Sequence, residues 1–187
     1  SIDAARRIAE AKTGTLQIGY MAFAAKVLMP SAVAGFQSAN PDVDIKLKYI
    51  RTQGQKIALA NGEIDVGFLI GPFDHSEFRS QLLDIDPLYV VMPSGHPLAD
   101  LADVRPIDLT SVDVILGDMV EWEAYRWHIA ELFSGEGVRL QVKLESPDTP
   151  ALVGLVSSGL GVTNCPESLV GFFGTDVETR RSKHPDF

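Results

Sequence analysis

Residues 14–70, GTLQIGYMAFAAKVLMPSAVAGFQSANPDVDIKLKYIRTQGQKIALANGEIDVGFLI, change their apolar period at each turn signal, and that rhythm decides the fold. Thr15 to Tyr20 alternates Leu16, Ile18 and Tyr20 with small or polar neighbours, the pattern of a strand with one buried face. The spacing then predicts a helix over 23–39 with Val27, Leu28, Ala32, Phe36 and Ala39 as its apolar stripe. Pro30 cannot donate to the preceding turn, so it marks either a first turn or a kink, and Asn40 and Pro41 end the helix. Val43 to Ile50 returns to period two, with Val43, Ile45, Leu47 and Tyr49 set against Asp44, Lys46 and Lys48. Thr52 is placed as a helix N-cap, and Gln55 three residues on completes a capping-box spacing. Asn61 and Gly62 close that helix. Ile64 to Ile70 is almost wholly apolar, as a central strand covered on both faces would be. This β-α-β-α-β order implies a parallel sheet with right-handed crossovers.

Working outward, Asp3 to Lys12 carries Ala4, Ala5, Ile8, Ala9 and Ala11 at helical spacing and predicts the end of a surface or coiled helix. On the other side, Gly71 and Pro72 open a polar loop, and an extended segment follows over 81–92, interrupted by Pro87. The chain is expected to enter a second lobe there. Residues 101–109 predict a loop or short helix. Strands are then expected over 112–116, 138–145 and 162–163, with helices over 122–133 and 150–158 between them. The β-α rhythm thus occurs twice, and two such lobes would form a cleft into which the carboxyl ends of the strands open.

Composition narrows the function. With 25 acidic and 16 basic side chains the formal charge is −9, and the basic residues are not clustered, so this stretch repels a phosphate backbone. Apolar residues make up 45% of the chain without any run of bilayer-spanning length, so no membrane partner is expected. Cys165 is the only cysteine and the N-terminal stretch lacks the apolar core of a secretory peptide, which together predict a cytoplasmic protein. His75, His96, His128 and His184 have no companions at metal-ligand spacing. Gly159 and Gly161 form a bare G-x-G without a phosphate-loop context, and Ser157 and Ser158 lack the G-x-S-x-G elbow. The expectation is a binding module, neither an enzyme nor a carrier of a metal or cofactor.

A set of short motifs recurs in order along the chain: Gly14-Thr-Leu-Gln-Ile-Gly19, Pro30, Phe36, Pro41-Asp-Val43, Gly62-Glu-Ile-Asp-Val-Gly67, Pro87-Leu88, His96-Pro-Leu98 and Gly159-Leu-Gly-Val162. Together they resemble the effector-binding (substrate-binding) domain of LysR-type transcriptional regulators. Thr52, Gln53 and Gln55 are most similar to the branch that senses muconate-type and other aromatic-catabolism acids. The resemblance implies an α/β fold like the type II periplasmic binding proteins, two Rossmann-like lobes with a ligand cleft between them. It places residues 1–13 at the end of a linker helix, 14–86 with 166–187 in lobe I, and 87–165 in lobe II. It further implies that a winged helix-turn-helix domain precedes this stretch and supplies all DNA contact, and that the first lobe is completed beyond Phe187. The implied partners are a small-molecule effector, an aromatic or organic acid, and further copies of the chain: a homodimer, or a tetramer in the full-length protein. Apolar helix faces around Val27, Ala34 and around Ile129, Leu132 would make the contacts between copies. The alternative is the solute-binding protein of a transport system, which shares the architecture.

In such a fold the cleft is lined by strand ends and helix starts, where free N–H groups and the helix dipole favour a carboxylate. That argument selects Met21, Ala22, Phe23 and Ala24 at the first helix, Thr52 and Gln53 at the second, and Gly71 after the third strand. In the second lobe it selects Gly117, Asp118 and Met119, and at the crossover Thr163 and Asn164. The plainer reading is that Thr52 only caps its helix and Asn164 only satisfies a turn. Phe23 stands where the aromatic-acid branch usually has a small hydroxyl residue; it either offers a flat apolar wall or turns into the core. Arg51 and Lys26 could supply counter-charge or serve as solvated surface. Asp65 is expected to be structural, accepting backbone hydrogen bonds.

Overall fold

The structure, a computed structural model, describes residues 14–71 and 78–184. The expected helix over 3–12 and His75 lie outside them. The chain divides into two compact units, with the boundary between Leu83 and Asp84.

Unit 1 is a three-stranded parallel sheet in the order β2-β1-β3, with β1 at Gly14–Tyr20, β2 at Val43–Tyr49 and β3 at Val66–Gly67. β1 and β2 run in register from Gly14 opposite Val43 to Tyr20 opposite Tyr49. The central strand is therefore β1. The apolar run 64–70 instead supplies a two-residue edge pairing, while Ile64 and Phe68 on either side of it are buried at 2% and 7% exposure. Asp65 fixes that register. Its N–H donates to the Gln17 carbonyl, and its carboxylate accepts from the Gln17 N–H, both at 2.8 Å.

The helix expected over 23–39 is split into α1, Ala22–Ala25, and α2, Leu28–Ala39. Pro30 explains the break: it has no N–H for the carbonyl of Lys26 and its ring crowds that carbonyl, so the helix restarts with proline in its first turn. The restart rotates the buried stripe to Leu28, Met29, Val33 and Phe36, leaving Val27, Ala32 and Ala39 exposed. Leu16, Ile18, Ala24, Met29, Val43 and Phe68 form the core beneath it. Each large member contributes about 1.5–3 kcal/mol by leaving water.

α3, Thr52–Ala60, crosses between β2 and β3. Its Gln55 is completely buried, and its amide lies over the two strand glycines: a Cβ on Gly67 would come 2.7 Å from Gln55 Oε1, and one on Gly19 would come 2.6 Å from Ile64 Cδ1. The glycines closing the motifs Gly14–Gly19 and Gly62–Gly67 thus make room for a side chain from the covering helix.

Unit 2 opens with β4, Leu88–Pro93. Two 3-10 turns follow, Pro97–Asp100 and Pro106–Leu109, with β5 at Asp103–Val104 between them. Next come β6 at Val114–Gly117, α4 at Glu123–Gly135, β7 at Val142–Ser146, α5 at Thr149–Ser157, β8 at Thr163–Pro166, α6 at Glu167–Val170 and β9 at Val177–Ser182. One sheet has the order β5-β9-β4-β8; β6 and β7 pair in parallel, and a bridge from Val114 to Val162 brings β6 alongside β8. Gly161 allows that approach, since a Cβ there would lie 2.5 Å from the Asp113 carbonyl oxygen.

The returning tail departs from the expected assignment. Residues 166–184 belong to unit 2 rather than to the first lobe, because β9 pairs antiparallel with β4 from Tyr89 opposite Arg181 to Pro93 opposite Val177. At the base of this sheet the Asp86 carboxylate accepts from the Ser168 N–H at 3.0 Å and its hydroxyl at 2.5 Å, while the Glu167 N–H donates to the Pro87 carbonyl at 2.8 Å. Ile129 and Leu132, expected to face another copy, are buried with Tyr125 and Phe133 on the inner stripe of α4, so they belong to the core of unit 2. Among the described residues no helix is long and apolar enough to cross a membrane.

Candidate functional site

In unit 1 the parallel register brings the ends of β1 and β2 to one edge of the sheet, and both helix starts lie there. The Ile50 N–H donates to the Tyr20 carbonyl at 2.9 Å and fixes this edge. α1 begins directly after Met21 and α3 directly after Arg51. Met21, Ala22, Ala24 and Thr52 are buried, Gln53 and Gly71 are exposed, and half-buried Phe23 packs against the unit 1 core.

Thr52 does not cap its helix. Arg51 holds the cap position without a side-chain bond, and the Thr52 hydroxyl faces the Met21 sulfur at 3.7 Å. Gln55 does not complete a capping box either. Its Nε2 donates to the Ile50 carbonyl at 2.7 Å, and its Oε1 has no hydrogen-bond partner among the described residues. Two forces displace the expected cap: the vacant surfaces of Gly19 and Gly67 draw Gln55 inward, and burial takes the Thr52 hydroxyl away from the α3 amides. What remains at this edge is a weakly engaged donor beside the first turn of a helix, where unpaired N–H groups present partial positive charge.

Tyr20 and Tyr49 were not singled out in the sequence as site residues. Their rings meet edge to face, with centroids 5.5 Å apart and planes at 88°. The available signal was that each ends its strand.

In unit 2 the predicted residues have different surroundings. Gly117 is buried, and its carbonyl accepts from Arg126 Nη1 at 2.7 Å; Arg126 also pairs with Glu145 at 2.7 Å. Asp118 shapes the turn into α4, its Oδ1 accepting from the N–H groups of Val120 at 3.0 Å and Glu121 at 2.8 Å. Met119 is exposed. Thr163 and Asn164 lie inside β8 at 1% exposure each. The Asn164 carbonyl accepts from the Tyr125 hydroxyl at 2.5 Å and its Nδ2 donates to Ser182 Oγ at 3.2 Å, tying α4, β8 and β9 together. The Thr163 hydroxyl is buried without a hydrogen-bond partner among the described residues.

Burial, followed by the charge of Asp86, pushes the Cys165 thiol far above its ordinary range, and burial likewise raises Tyr125. At the surface, burial alone would raise Asp108, but hydrogen bonds from the Arg105 side chain and backbone hold its carboxyl below the usual value.

Residues 9–178 match the LysR substrate binding domain family. Among curated proteins the chain is 28% identical to the HTH-type transcriptional regulator AlsR of Bacillus subtilis, over 96% of this chain and 60% of that protein. It is also 28% identical to the HTH-type transcriptional regulator CatR of Pseudomonas putida, over 94% of this chain and 60% of that protein. The chain therefore spans about three-fifths of these relatives. Among solved structures, the effector binding domain of BenM with its effector benzoate superimposes with a TM-score of 0.82 at 25% identity, covering 92% of this chain and 79% of that one. These relatives are transcription regulators, which sets aside the transport alternative. With its α/β architecture and a family match along most of its length, the chain belongs to the LysR substrate-binding domain family.

Proposed function

We propose that this domain senses a small aromatic or organic acid at the shared edge of β1 and β2 in unit 1, and acts by binding rather than by catalysis. The observation that carries this reading is the Thr52 hydroxyl, buried at the first turn of α3 and, among the described residues, engaged only by the Met21 sulfur at 3.7 Å. A carboxylate oxygen is a far better acceptor than a thioether, and the helix start favours negative charge. The Tyr20–Tyr49 pair at the same edge supplies aromatic surface suited to a flat ligand body. The benzoate held by the BenM domain gives the ligand class its precedent. Met21, Ala22, Phe23, Ala24, Gln53 and Gly71 complete the proposed site in unit 1. Effector binding then alters the geometry of a cytoplasmic homo-oligomer whose DNA contacts come from outside this stretch. Val27, at the cap of α2, and Ala34, on α2, are both exposed and are the candidates for contact between copies.

Calorimetric titration with an aromatic and organic acid panel that includes benzoate tests the reading. At least one acid should bind, and Thr52→Val, which keeps the shape but removes the donor, should weaken it by about ten-fold or more, the value of a hydrogen bond to a charged acceptor. Full affinity in Thr52→Val, or no binding across the panel, would overturn it.

A further inference from the structure

Unit 2 carries a groove of ≈ 690 Å³ that shares no residue with the site proposed above. It lies between the 3-10 turn at Pro106–Leu109 and the segment leading from α4 into β7. Gly137, at φ 70°, turns the chain out of α4, and Val138, buried at 6% exposure, pins it before it runs on to β7. Its lining combines apolar Ile107, Val138 and Leu140 with polar Thr110, Arg139 and Gln141.

Charge distinguishes this groove from a bare apolar recess. Arg139 is exposed and has no ion-pair or hydrogen-bond partner among the described residues, in a chain whose net charge is −9. The carboxylates adjoining the lining residues are engaged elsewhere: Asp108 with Arg105 Nη2 at 3.3 Å, and Glu136 facing His184 Nε2 at 3.7 Å. The Thr110 hydroxyl donates to the Ile107 carbonyl at 2.7 Å. A guanidinium without a partner among the described residues, lining the same groove as Ile107, Val138 and Leu140, complements a small anion with an apolar body, and the groove is within the size range of about 300–1,000 Å³ that holds small ligands.

We propose that this groove is a second ligand site, for a small monocarboxylate with an apolar body. Arg139 takes the carboxylate through its planar fork of donors, Gln141 adds an amide donor, and the ligand body lies over Ile107, Val138 and Leu140.

The test is a titration of the protein with 4-fluorobenzoate, followed by fluorine NMR and by backbone amide shifts. Shifts should move at residues 107–110 and 137–142. Arg139→Gln should weaken this event by about ten-fold or more, and Ile107→Trp should abolish it by filling the groove. Both substitutions fall on exposed side chains, so the fold should survive them. Thr52→Val should leave the event unchanged, which separates it from binding in unit 1: loss of either event alone refutes only the reading attached to it. The proposal fails if both groove variants titrate like the parent, or if methyl 4-fluorobenzoate, which lacks the charge, shifts the same amides equally. It also fails if Arg139→Gln changes only self-association in sedimentation, without altering ligand uptake.

Discussion

Adding one methyl group at Gly117 should cost this protein a large part of the stability of unit 2. A Cβ there would fall 2.2 Å from Cγ and 2.3 Å from Cδ1 of Trp122. Ordinary contact begins at 3.4 Å, so the indole must recede by more than an ångström. Because Gly117 lies outside the left-handed region, the backbone itself accepts alanine and the whole effect is steric. Trp122 has little freedom: it is 5% exposed and meets Tyr125 at 6.4 Å between ring centroids. Two responses are available. Forcing the packed ring aside costs about 1–3 kcal/mol. Expelling it exposes roughly 150–250 Å² at about 25 cal/mol per Å², or about 4–6 kcal/mol. The cheaper response wins, so Gly117→Ala should cost about 2–3 kcal/mol, near the top of the overpacking range. Urea unfolding followed by tryptophan fluorescence measures this. Trp122→Ala alone should cost about 3–5 kcal/mol, and adding Gly117→Ala to it should cost little more, since the methyl group then enters vacated space. Stability of Gly117→Ala within about 0.5 kcal/mol of the parent, or simple additivity in the double variant, would show that the indole does not enforce this glycine.

Asp65→Ala should destabilise unit 1 by about 1–3 kcal/mol in urea melts, since it strips the acceptor from the Gln17 N–H; a silent substitution would mean that the 2.8 Å contact does not hold β3 to β1. The Cys165 thiol should resist disulfide exchange in the folded protein at pH 8 and react fully in denaturant, so rapid native labelling would contradict its burial. Because Cys165 and Tyr125 keep their protons in the fold above their ordinary values of 9.0 and 10.0, stability should be constant through neutral pH and fall as the unfolded chain ionises above about pH 9. The midpoint of denaturation should decline over that alkaline range, and Cys165→Ala should lessen the decline.

The parts of the fold that could be read from the sequence are those specified by adjacent residues. The period-two runs of β1 and β2, the stop at Asn40 and Pro41, and the structural role of Asp65 follow from spacing and side-chain chemistry within a short window. The family resemblance was equally accessible, because its glycines and prolines enforce local geometry. Contacts between distant residues were not. Whether residues 177–182 return to the first lobe or pair with β4 depends on an edge about 85 residues away, for which VETRRS carries no local signal. Thr52 and Gln55 have the spacing of a capping box, but tertiary packing overrode it: two glycines on neighbouring strands opened a space that only the folded sheet creates. Similarly, Ile129 and Leu132 are apolar at helical spacing whether they face a core or another copy. The rule for strand ends points to the edge of a sheet; it carries no signal that Thr163 and Asn164, which open β8, are buried at 1% exposure each.

The place of β9 has a consequence for biosynthesis. β4 has β9 on one side and β8 on the other, so its pairing on the β9 side waits for residues 177–182, made long after β4 itself. At roughly 5–20 residues per second, the nascent chain spends about 4–17 s with that edge open after β4 has been made. During that interval the strand Leu-Tyr-Val-Val-Met-Pro is a template for strands from other nascent chains, and slower translation or a missing chaperone should reduce the soluble yield before native stability has any bearing on it.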